Sequence, residues 1–302
     1  MHNQPDSKEN EWTILKVLTW TTSYFKSNEI ESPRPSAEIL LAHLLETTRV
    51  DLYLKYDQPL NSKELEKFKT LIKRRVAREP VAYITGVKEF WSLELAVTRD
   101  VLIPRPETEC LVEASVLLLS AVSAGHSKLK PMQILELGTG SGAIVLALAK
   151  EQPNHLYFAS DCSIDAIRVA KNNAMKNNLN EEVFFFVADW ESSLNHKNIS
   201  FDLIISNPPY IPTGDLAGLQ PEIFKYEPLG ALDGKEDGLS SLKHIICSAH
   251  KLLKRYGTLI LEMGHDQKAA VGRIIEKCGQ YENIAFSKDY SRYDRVVQMS
   301  KK

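Results

Sequence analysis

The sequence predicts an α/β protein: a doubly wound, mainly parallel sheet preceded by a small helical bundle domain and a connecting β-hairpin. Three observations carry this. Apolar residues recur at helical spacing between residues 9 and 77; from Met132 onward short apolar runs alternate with helical stretches; and a glycine-rich turn, Gly138-Thr139-Gly140-Ser141-Gly142, follows the first of those runs. At 302 residues the chain is long enough for two unequal domains, since domains usually hold about 100–200 residues.

Taken in order, Trp12, Leu15, Leu18 and Phe25 mark a first helix and Ala37, Leu41, Leu44 and Leu45 a second, with Pro33 and Pro35 at the break. Asn61 and Ser62 can cap a third. It ends in Lys73, Arg74, Arg75 and Arg78 before Pro80, a run that reads as the solvated last turn of a helix complementing its dipole. Between Val81 and Ile103 the segments are short and partly alternating, as in Leu93-Glu94-Leu95-Ala96-Val97, and read as strand or hairpin. An apolar helix over Leu111–Val122 follows. The strands expected next are Gln133–Leu137, His155–Ser160, Val183–Ala188, Phe201–Ser206, Thr258–Met263, Ile284–Ser287 and Arg295–Met299, with helical patterns between the first five. Ligands of such sheets bind beyond the carboxyl ends of the strands, so the loops there carry the chemistry.

Composition excludes several classes. With 43% apolar and 25% charged residues the chain is neither disordered nor low-complexity. Its longest uncharged stretch, Ala114 to Ser127, is shorter than the roughly 18 residues of a membrane span. The N-terminal residues show neither a basic nor an apolar export region, which makes the cytoplasm the expected location. Cys110, Cys162, Cys247 and Cys278 form no C-x-x-C pair and read as small core residues, and the eight histidines make no ligand-spaced cluster, so no metal is expected. A net charge of −2 gives no general attraction to phosphate polymers.

Each strand end offers a candidate residue. The glycines of Gly138-Thr139-Gly140-Ser141-Gly142 let the backbone turn tightly and approach a ligand, while the next helix, expected over Ala143–Lys150, offers free N–H groups. The spacing is neither the dinucleotide G-x-G-x-x-G nor a P-loop. Asp161, 23 residues after Gly138, stands where an acid accepts from ribose hydroxyls, although it could also cap the helix near Ser163. Ala188-Asp189-Trp190 supplies an aromatic surface for an adenine, unless Trp190 belongs to the core. Asn207-Pro208-Pro209-Tyr210 ends the fourth strand. Its prolines lack N–H groups and hold their neighbours extended, so the Asn207 side-chain oxygen and the Pro208 carbonyl become fixed acceptors for an –NH2 group, with Tyr210 packing on its plane.

Together these loops resemble the class I S-adenosylmethionine-dependent methyltransferases that act on planar-amine nitrogens. The resemblance implies a Rossmann-like sheet of seven strands with the last antiparallel, S-adenosyl-L-methionine as cofactor, and two branches: adenine-N6 DNA or RNA methyltransferases, and enzymes that methylate glutamine side chains. Thr85-Gly86-Val87-Lys88-Glu89-Phe90-Trp91, Leu102 to Glu109, Tyr226-Glu227-Pro228, Ala231-Leu232-Asp233-Gly234 and Asp237-Gly238-Leu239 are similar to the HemK/PrmC release-factor glutamine methyltransferases. That resemblance implies methyl transfer to N5 of the glutamine in the Gly-Gly-Gln motif of peptide chain release factors, without direct nucleic-acid contact. It assigns Gly138, Thr139, Gly140, Ser141, Gly142, Asp161, Trp190 and Asn207 to the cofactor, Asn207, Pro208, Pro209 and Tyr210 to the substrate glutamine, and Arg105 and Pro106 to the cofactor's edge. Glu136 stands where the family often has Asp, Ser141 where it often has Thr, and Lys235, expected in a loop away from Asn207, where a second Gly is common. The expected domains are a helical substrate-recognition domain over 1–80, a hairpin linker over 81–105 and the catalytic domain over 106–302.

Overall fold

The computed structural model describes residues 11–124, 130–194 and 199–302, and these divide into two compact units. One runs to Gly86 and includes Pro221–Tyr226; the other comprises Val87–Gln220 and Glu227–Lys302.

The first unit is helical: α1 (Ile14–Ser27), α2 (Pro33–Leu44), α3 (Arg49–Leu54), α4 (Ser62–Val76) and α5 (Val81–Thr85). Thr13 caps α1, and Pro33, which needs no N–H partner at the first turn, starts α2. Both α3 and α4 open with reciprocal capping boxes, Thr48 with Asp51 and Asn61 with Glu64. The six residues of α3 are too few to show an apolar period, which is why the sequence reading passed over it. Leu18, Phe25, Leu40, Leu41, Leu52 and Phe68 are buried together, each contributing roughly 2 kcal/mol of apolar burial.

The basic run is not simply solvated. Arg74 grips Glu79 through two bonds of 2.8 Å, and Arg75 is buried against Glu222 at 2.9 Å, with Arg78 on the same carboxylate. The Tyr226 hydroxyl donates to the Ala77 carbonyl at 2.8 Å. The helix α9 (Pro221–Tyr226), far along the chain, supplies these partners, so no local reading of 73–78 could find them.

The second unit starts with an antiparallel hairpin, β1 (Val87–Phe90) and β2 (Leu93–Ala96), turned by Trp91 and Ser92, both at positive φ (49° and 55°). Two such residues give a turn whose twist suits a two-residue hairpin, here without the usual Asn-Gly signal. Helix α6 (Glu109–Ala124) leads into the sheet: β3 (Gln133–Leu137), α7 (Ala143–Glu151), β4 (Leu156–Asp161), α8 (Ile164–Lys176), β5 (Val183–Val187), β6 (Phe201–Ser206), then after α9 the helix α10 (Ser240–Ser248), β7 (Leu253–Glu262), α11 (Lys268–Cys278), β8 (Tyr281–Lys288) and β9 (Asp294–Lys301). The strand order is β5-β4-β3-β6-β7-β9-β8, with β9 antiparallel to both neighbours. Seven strands with a reversed last strand meet the expected fold class.

Side chains of β6 alternate between the faces: Leu203 and Ile205 pack under α7, while Ile204 joins Leu242, Ile246 and Val271 on the other side. A sheet covered on both faces needs apolar residues at every position, hence the unbroken apolar run.

Further expectations change. Val81–Thr85, expected at the start of the hairpin, forms helix α5 of the first unit. No helix lies between β5 and β6 among the described residues, because Trp190 starts a turn and the polar residues after it lack helical spacing. Strand β7 begins at Leu253 rather than Thr258, its register against β6 broken between Phe201 and Leu203 where Tyr256 takes a φ of 64°. Of the cysteines, all free, only Cys110 is buried; Cys162 and Cys247 are exposed, one in the turn after β4 and the other on the outer face of α10. Among the described residues no helix is long and apolar enough to cross a membrane.

Glu38, 1% exposed, holds the helical unit from within. Burial alone would raise its carboxyl, but hydrogen bonds from Tyr53, Arg49 and Arg34 outweigh this and keep it below the usual carboxylate range. A folded-state value below the unfolded one gives stability that is complete above the unfolded carboxylate range, about pH 4–5, and lost as pH falls through the folded value. Glu38→Gln is therefore expected to lower the melting temperature of the helical unit by roughly 5 °C or more at pH 7 and to flatten its acid-side dependence. Circular dichroism melts between pH 3 and 7 check this; a variant melting like wild type at pH 7 contradicts it.

Candidate active site at the carboxyl ends of the strands

The strand order reverses direction between β3 and β6, the crevice where doubly wound sheets take their ligands. Leu137 and Ser206 are register partners, and the Ser206 hydroxyl donates to the Leu137 carbonyl at 2.7 Å. The glycine turn and Asn207 thus leave adjacent strands side by side.

Backbone N–H groups of Gly138 and Thr139 both donate to the Ser160 carbonyl at 2.9 Å, and Gly138, Gly140 and Gly142 take φ of 73°, 54° and 83°. L-residues reach that region only with strain. A Cβ on Gly142 would meet Leu146 at 3.1 Å and Ala170 at 3.3 Å, whereas one on Gly140 would project into open space. Beneath the turn Glu136, 2% exposed, accepts from the Thr139 hydroxyl at 2.6 Å and the Val145 N–H at 3.1 Å. Burial pushes its carboxyl up to about 8 despite those bonds. The Thr139 side chain therefore points inward and Ser141 is 3% exposed, leaving Gly138 and Gly140 as the residues of the turn that a ligand can reach. Asn173 ties the turn to the hairpin, donating to the Ser141 and Ala96 carbonyls and accepting from the Ala96 N–H.

Asp161 braces the turn as well: Oδ2 accepts from the Gly140 N–H and Oδ1 from the Ser163 N–H, each at 2.9 Å. The cap of α8 is Ser163, not Asp161. Each carboxylate oxygen keeps a second lone pair for a hydroxyl. Trp190 holds a φ of 51°, unusual for a bulky residue, and its ring lies 3.8 Å from where a Gly138 Cβ would stand. The ring is tilted against that of His244, which pairs with Glu191 at 3.1 Å.

Asn207 donates its Nδ2 to the Thr108 hydroxyl at 3.2 Å. Tyr210 donates its hydroxyl to Glu262 at 3.3 Å, and burial followed by the Glu262 charge raises its pKa. Gln267 donates to the carbonyls of Tyr210 (3.0 Å) and Gly238 (3.1 Å). Lys235 is not remote from this turn: its carbonyl accepts from the Thr213 N–H at 2.9 Å, and Ile211 pairs with Leu232 and Gly234. The two segments run together because Gly238 approaches so closely that a Cβ there would lie 2.5 Å from the Tyr210 carbonyl. Lys235 itself sits at φ 70°, a conformation that suits the glycine common at its position. Glu227 gathers Arg105 and the Ile103 N–H, joining two of the sequence segments singled out above.

Sequence reasoning assigned no role to Thr108, Asn173, Glu262 or Gln267. Only Glu262 left a signal, a lone acid at the carboxyl end of the apolar run Thr258-Leu259-Ile260-Leu261. The donor set fits a nucleoside cofactor: open backbone over Gly140, an acid at a strand end, and a flat ring beside Gly138.

This sheet order with its reversed last strand defines a methyltransferase fold, and residues 128–299 match a family described as a methyltransferase domain. Residues 16–86 match the PrmC N-terminal domain. The chain is 39% identical to the release factor glutamine methyltransferase of Geobacter sulfurreducens over 95% of its own length and 96% of that protein. It is 42% identical to the one from Buchnera aphidicola subsp. Schizaphis graminum, over 95% of this chain and all (100%) of the relative. A solved hMettl16 catalytic domain in complex with MAT2A 3'UTR hairpin 1 shares the fold at a TM-score of 0.55 and 17% identity, covering 80% of this chain and 81% of that one. The chain belongs to the release factor glutamine methyltransferase family.

Gly140 and Gly142 separate ligand approach from packing. Gly142→Ala is expected to destabilise the second unit by roughly 1–2 kcal/mol or more, from positive-φ strain with crowding added. Gly140→Ala carries the same strain without the crowding but obstructs the open face, so it should weaken S-adenosyl-L-methionine binding more than tenfold while melting above Gly142→Ala. Calorimetric binding and thermal melts check the pair; equal affinity losses in both contradict the assignment.

Proposed function

We propose that this protein transfers the methyl group of S-adenosyl-L-methionine to the side-chain amide nitrogen, N5, of the glutamine in the Gly-Gly-Gln motif of peptide chain release factors, a step serving translation termination. The observation that carries this reading is the state of Asn207. Its Nδ2 is engaged by Thr108, so its Oδ1 is the end left to accept from a substrate, beside the glycine turn.

Bound S-adenosyl-L-methionine supplies an electrophilic methyl group. Gly138 to Gly142 would hold it through their backbone, Asp161 through its free lone pairs on the ribose, and Trp190 through its ring. An amide nitrogen is a weak nucleophile because its lone pair is delocalised into the carbonyl. Asn207 Oδ1 and the Pro208 carbonyl would each accept one N–H of the glutamine amide, fixing the nitrogen in line with the methyl group. Orientation of this kind can contribute several of the roughly 7–11 kcal/mol available from positioning. Positive charge grows on the nitrogen as the new bond forms, and the same two fixed dipoles stabilise it. The nitrogen's proton leaves once the bond has made it acidic, so no strong base is required.

The helical unit suits a second docking surface for a folded protein substrate, and the near-neutral charge suits a partner read by shape rather than by phosphates. The Arg74 and Arg75 ion pairs also weaken the adenine-N6 alternative, since they remove two cations from the only basic run that favoured it. A cytoplasmic location, where release factors work, fits this assignment.

Incubation with labelled cofactor and either intact release factor, DNA or RNA tests the assignment, followed by mass spectrometry of the Gly-Gly-Gln peptide. One added methyl on the glutamine is the expected result; label entering only nucleic acid overturns it. Asn207→Ala should lower kcat by roughly 10²–10³ while leaving cofactor affinity within a few-fold. Comparable losses in both would contradict the positioning role.

A further inference from the structure

The turn between β8 and β9, residues 289–293, projects from the same end of the sheet as the Asn-Pro-Pro-Tyr turn. Ser206 is the register partner of Leu261 and Glu262 that of Val296, so Asn207 stands level with the end of β7 and the start of β9. Neighbouring strands lie about 4.8 Å apart, which sets the β8–β9 turn roughly 10 Å to the side of Asn207. Beyond that level the Met263 N–H donates to the Arg295 carbonyl at 2.9 Å, and the rings of His265 and Tyr293 meet edge-on with centroids 5.4 Å apart.

A buried ion pair braces the turn. Asp289, 6% exposed, accepts from the Tyr293 N–H at 3.0 Å and from Arg295 Nε at 3.1 Å, while its own N–H donates to the Tyr293 carbonyl at 2.8 Å. Arg295 also donates to the Met263 carbonyl at 3.3 Å, which ties the turn to the end of β7. On α6, the helix that begins directly after Thr108, Glu113 accepts from the Tyr290 hydroxyl at 3.1 Å.

This scaffold presents aromatic surface to water. Tyr290 is 72% exposed, Tyr293 is 56% exposed, and His265 is exposed beside Tyr293. Rings left this far in solvent add little to the core, so the bracing fixes them without burying them. Tyrosine is a common anchor of protein interfaces because it brings a large flat face and a polar tip with only two side-chain torsions to freeze. Holding the turn in place beforehand lowers the cost of binding further.

Position and chemistry identify the occupant. A glutamine seated at Asn207 belongs to a polypeptide whose neighbouring residues must cross the rim of the crevice. An extended chain advances about 3.3 Å per residue, so residues roughly three to five positions from the glutamine reach the turn. Both charge signs are exposed there, in Glu113 and Arg292, and the ring tips are hydroxyls and an imidazole. That mixture suits the backbone and polar side chains of a protein loop better than an apolar helix or a chain of phosphates.

We propose that Tyr290, Tyr293 and His265 form a docking rim for the release-factor chain that flanks the Gly-Gly-Gln glutamine, the rings lying against its peptide planes and the tips hydrogen-bonding its backbone. This rests on the proposed reading of Asn207 as the seat of that glutamine. Contacts so far from the reacting nitrogen are made equally before and during methyl transfer, so they lower KM for the release factor and leave kcat unchanged.

The test uses the full chain, intact release factor and saturating S-adenosyl-L-methionine. Replacing both tyrosines, Tyr290→Ala with Tyr293→Ala, is expected to raise KM for the release factor about tenfold or more, with kcat within about threefold and cofactor affinity and melting temperature near wild type. The paired Tyr290→Phe and Tyr293→Phe variant keeps the rings and should hold KM within about threefold of wild type. His265→Ala, which leaves the turn intact, should raise KM by a smaller factor in the same direction. An unchanged KM in the paired alanine variant overturns the proposal, as does a loss confined to kcat or to melting temperature, or a phenylalanine pair as impaired as the alanine pair. The wild-type enzyme separates the two levels: if it places no methyl on the glutamine, the reading of the active site fails; if it does and the alanine pair keeps its KM, only the docking rim fails.

Discussion

The pairing of β3 with β6 is the constraint on which the rest depends. Leu137 and Ser206 close that pairing, and the Ser206 hydroxyl fixes the Leu137 carbonyl at the point where both chains leave the sheet. From there one strand enters the glycine turn and the other the Asn-Pro-Pro-Tyr turn. The change of direction in strand order at this position brings together two loops that lie far apart in sequence and that the proposed chemistry needs adjacent. The apolar residues of β6, packed on both faces, make the pairing rigid enough to set distances between side chains in the loops above.

Buried polar groups then shape those loops from behind. Glu136 pins the glycine turn and the first turn of α7, Asn173 ties the turn to the hairpin, and Glu262 stands behind Tyr210. A buried polar group costs free energy unless hydrogen-bonded, so each is worth keeping only where its position matters. Backbone strain lies in the same loops: Trp190 at φ 51° and Lys235 at φ 70° are held by their surroundings, as expected of a site that fixes geometry before a ligand arrives.

Much of this was legible in sequence because the relevant signals are local. Glycine spacing, prolines that fix their own backbone, and an acid at a strand end each act through the residue itself, which is why the sequence alone places residues 138–142, Asp161 and 207–210 at the strand ends where the structure has them. Where the outcome depends on a distant partner, local reading failed. Arg75 is buried by Glu222, Lys235 is drawn beside Thr213 by the close approach at Gly238, and the Trp91-Ser92 turn is imposed by the hairpin rather than by its own residues. Thr108 and Glu262 are ordinary in sequence and acquire their partners, Asn207 and Tyr210, only when β6, β7 and the segment before α6 converge.

The account centres on a glutamine amide held by two fixed acceptors. A crystal structure with S-adenosylhomocysteine and a Gly-Gly-Gln peptide measures this directly. The account predicts that the glutamine side-chain nitrogen lies within hydrogen-bond distance of both Asn207 Oδ1 and the Pro208 carbonyl, on a line with the cofactor sulfur, while Asn207 Nδ2 stays on Thr108. A glutamine amide that reaches neither oxygen, or an Asn207 carboxamide turned to present its nitrogen, would contradict it.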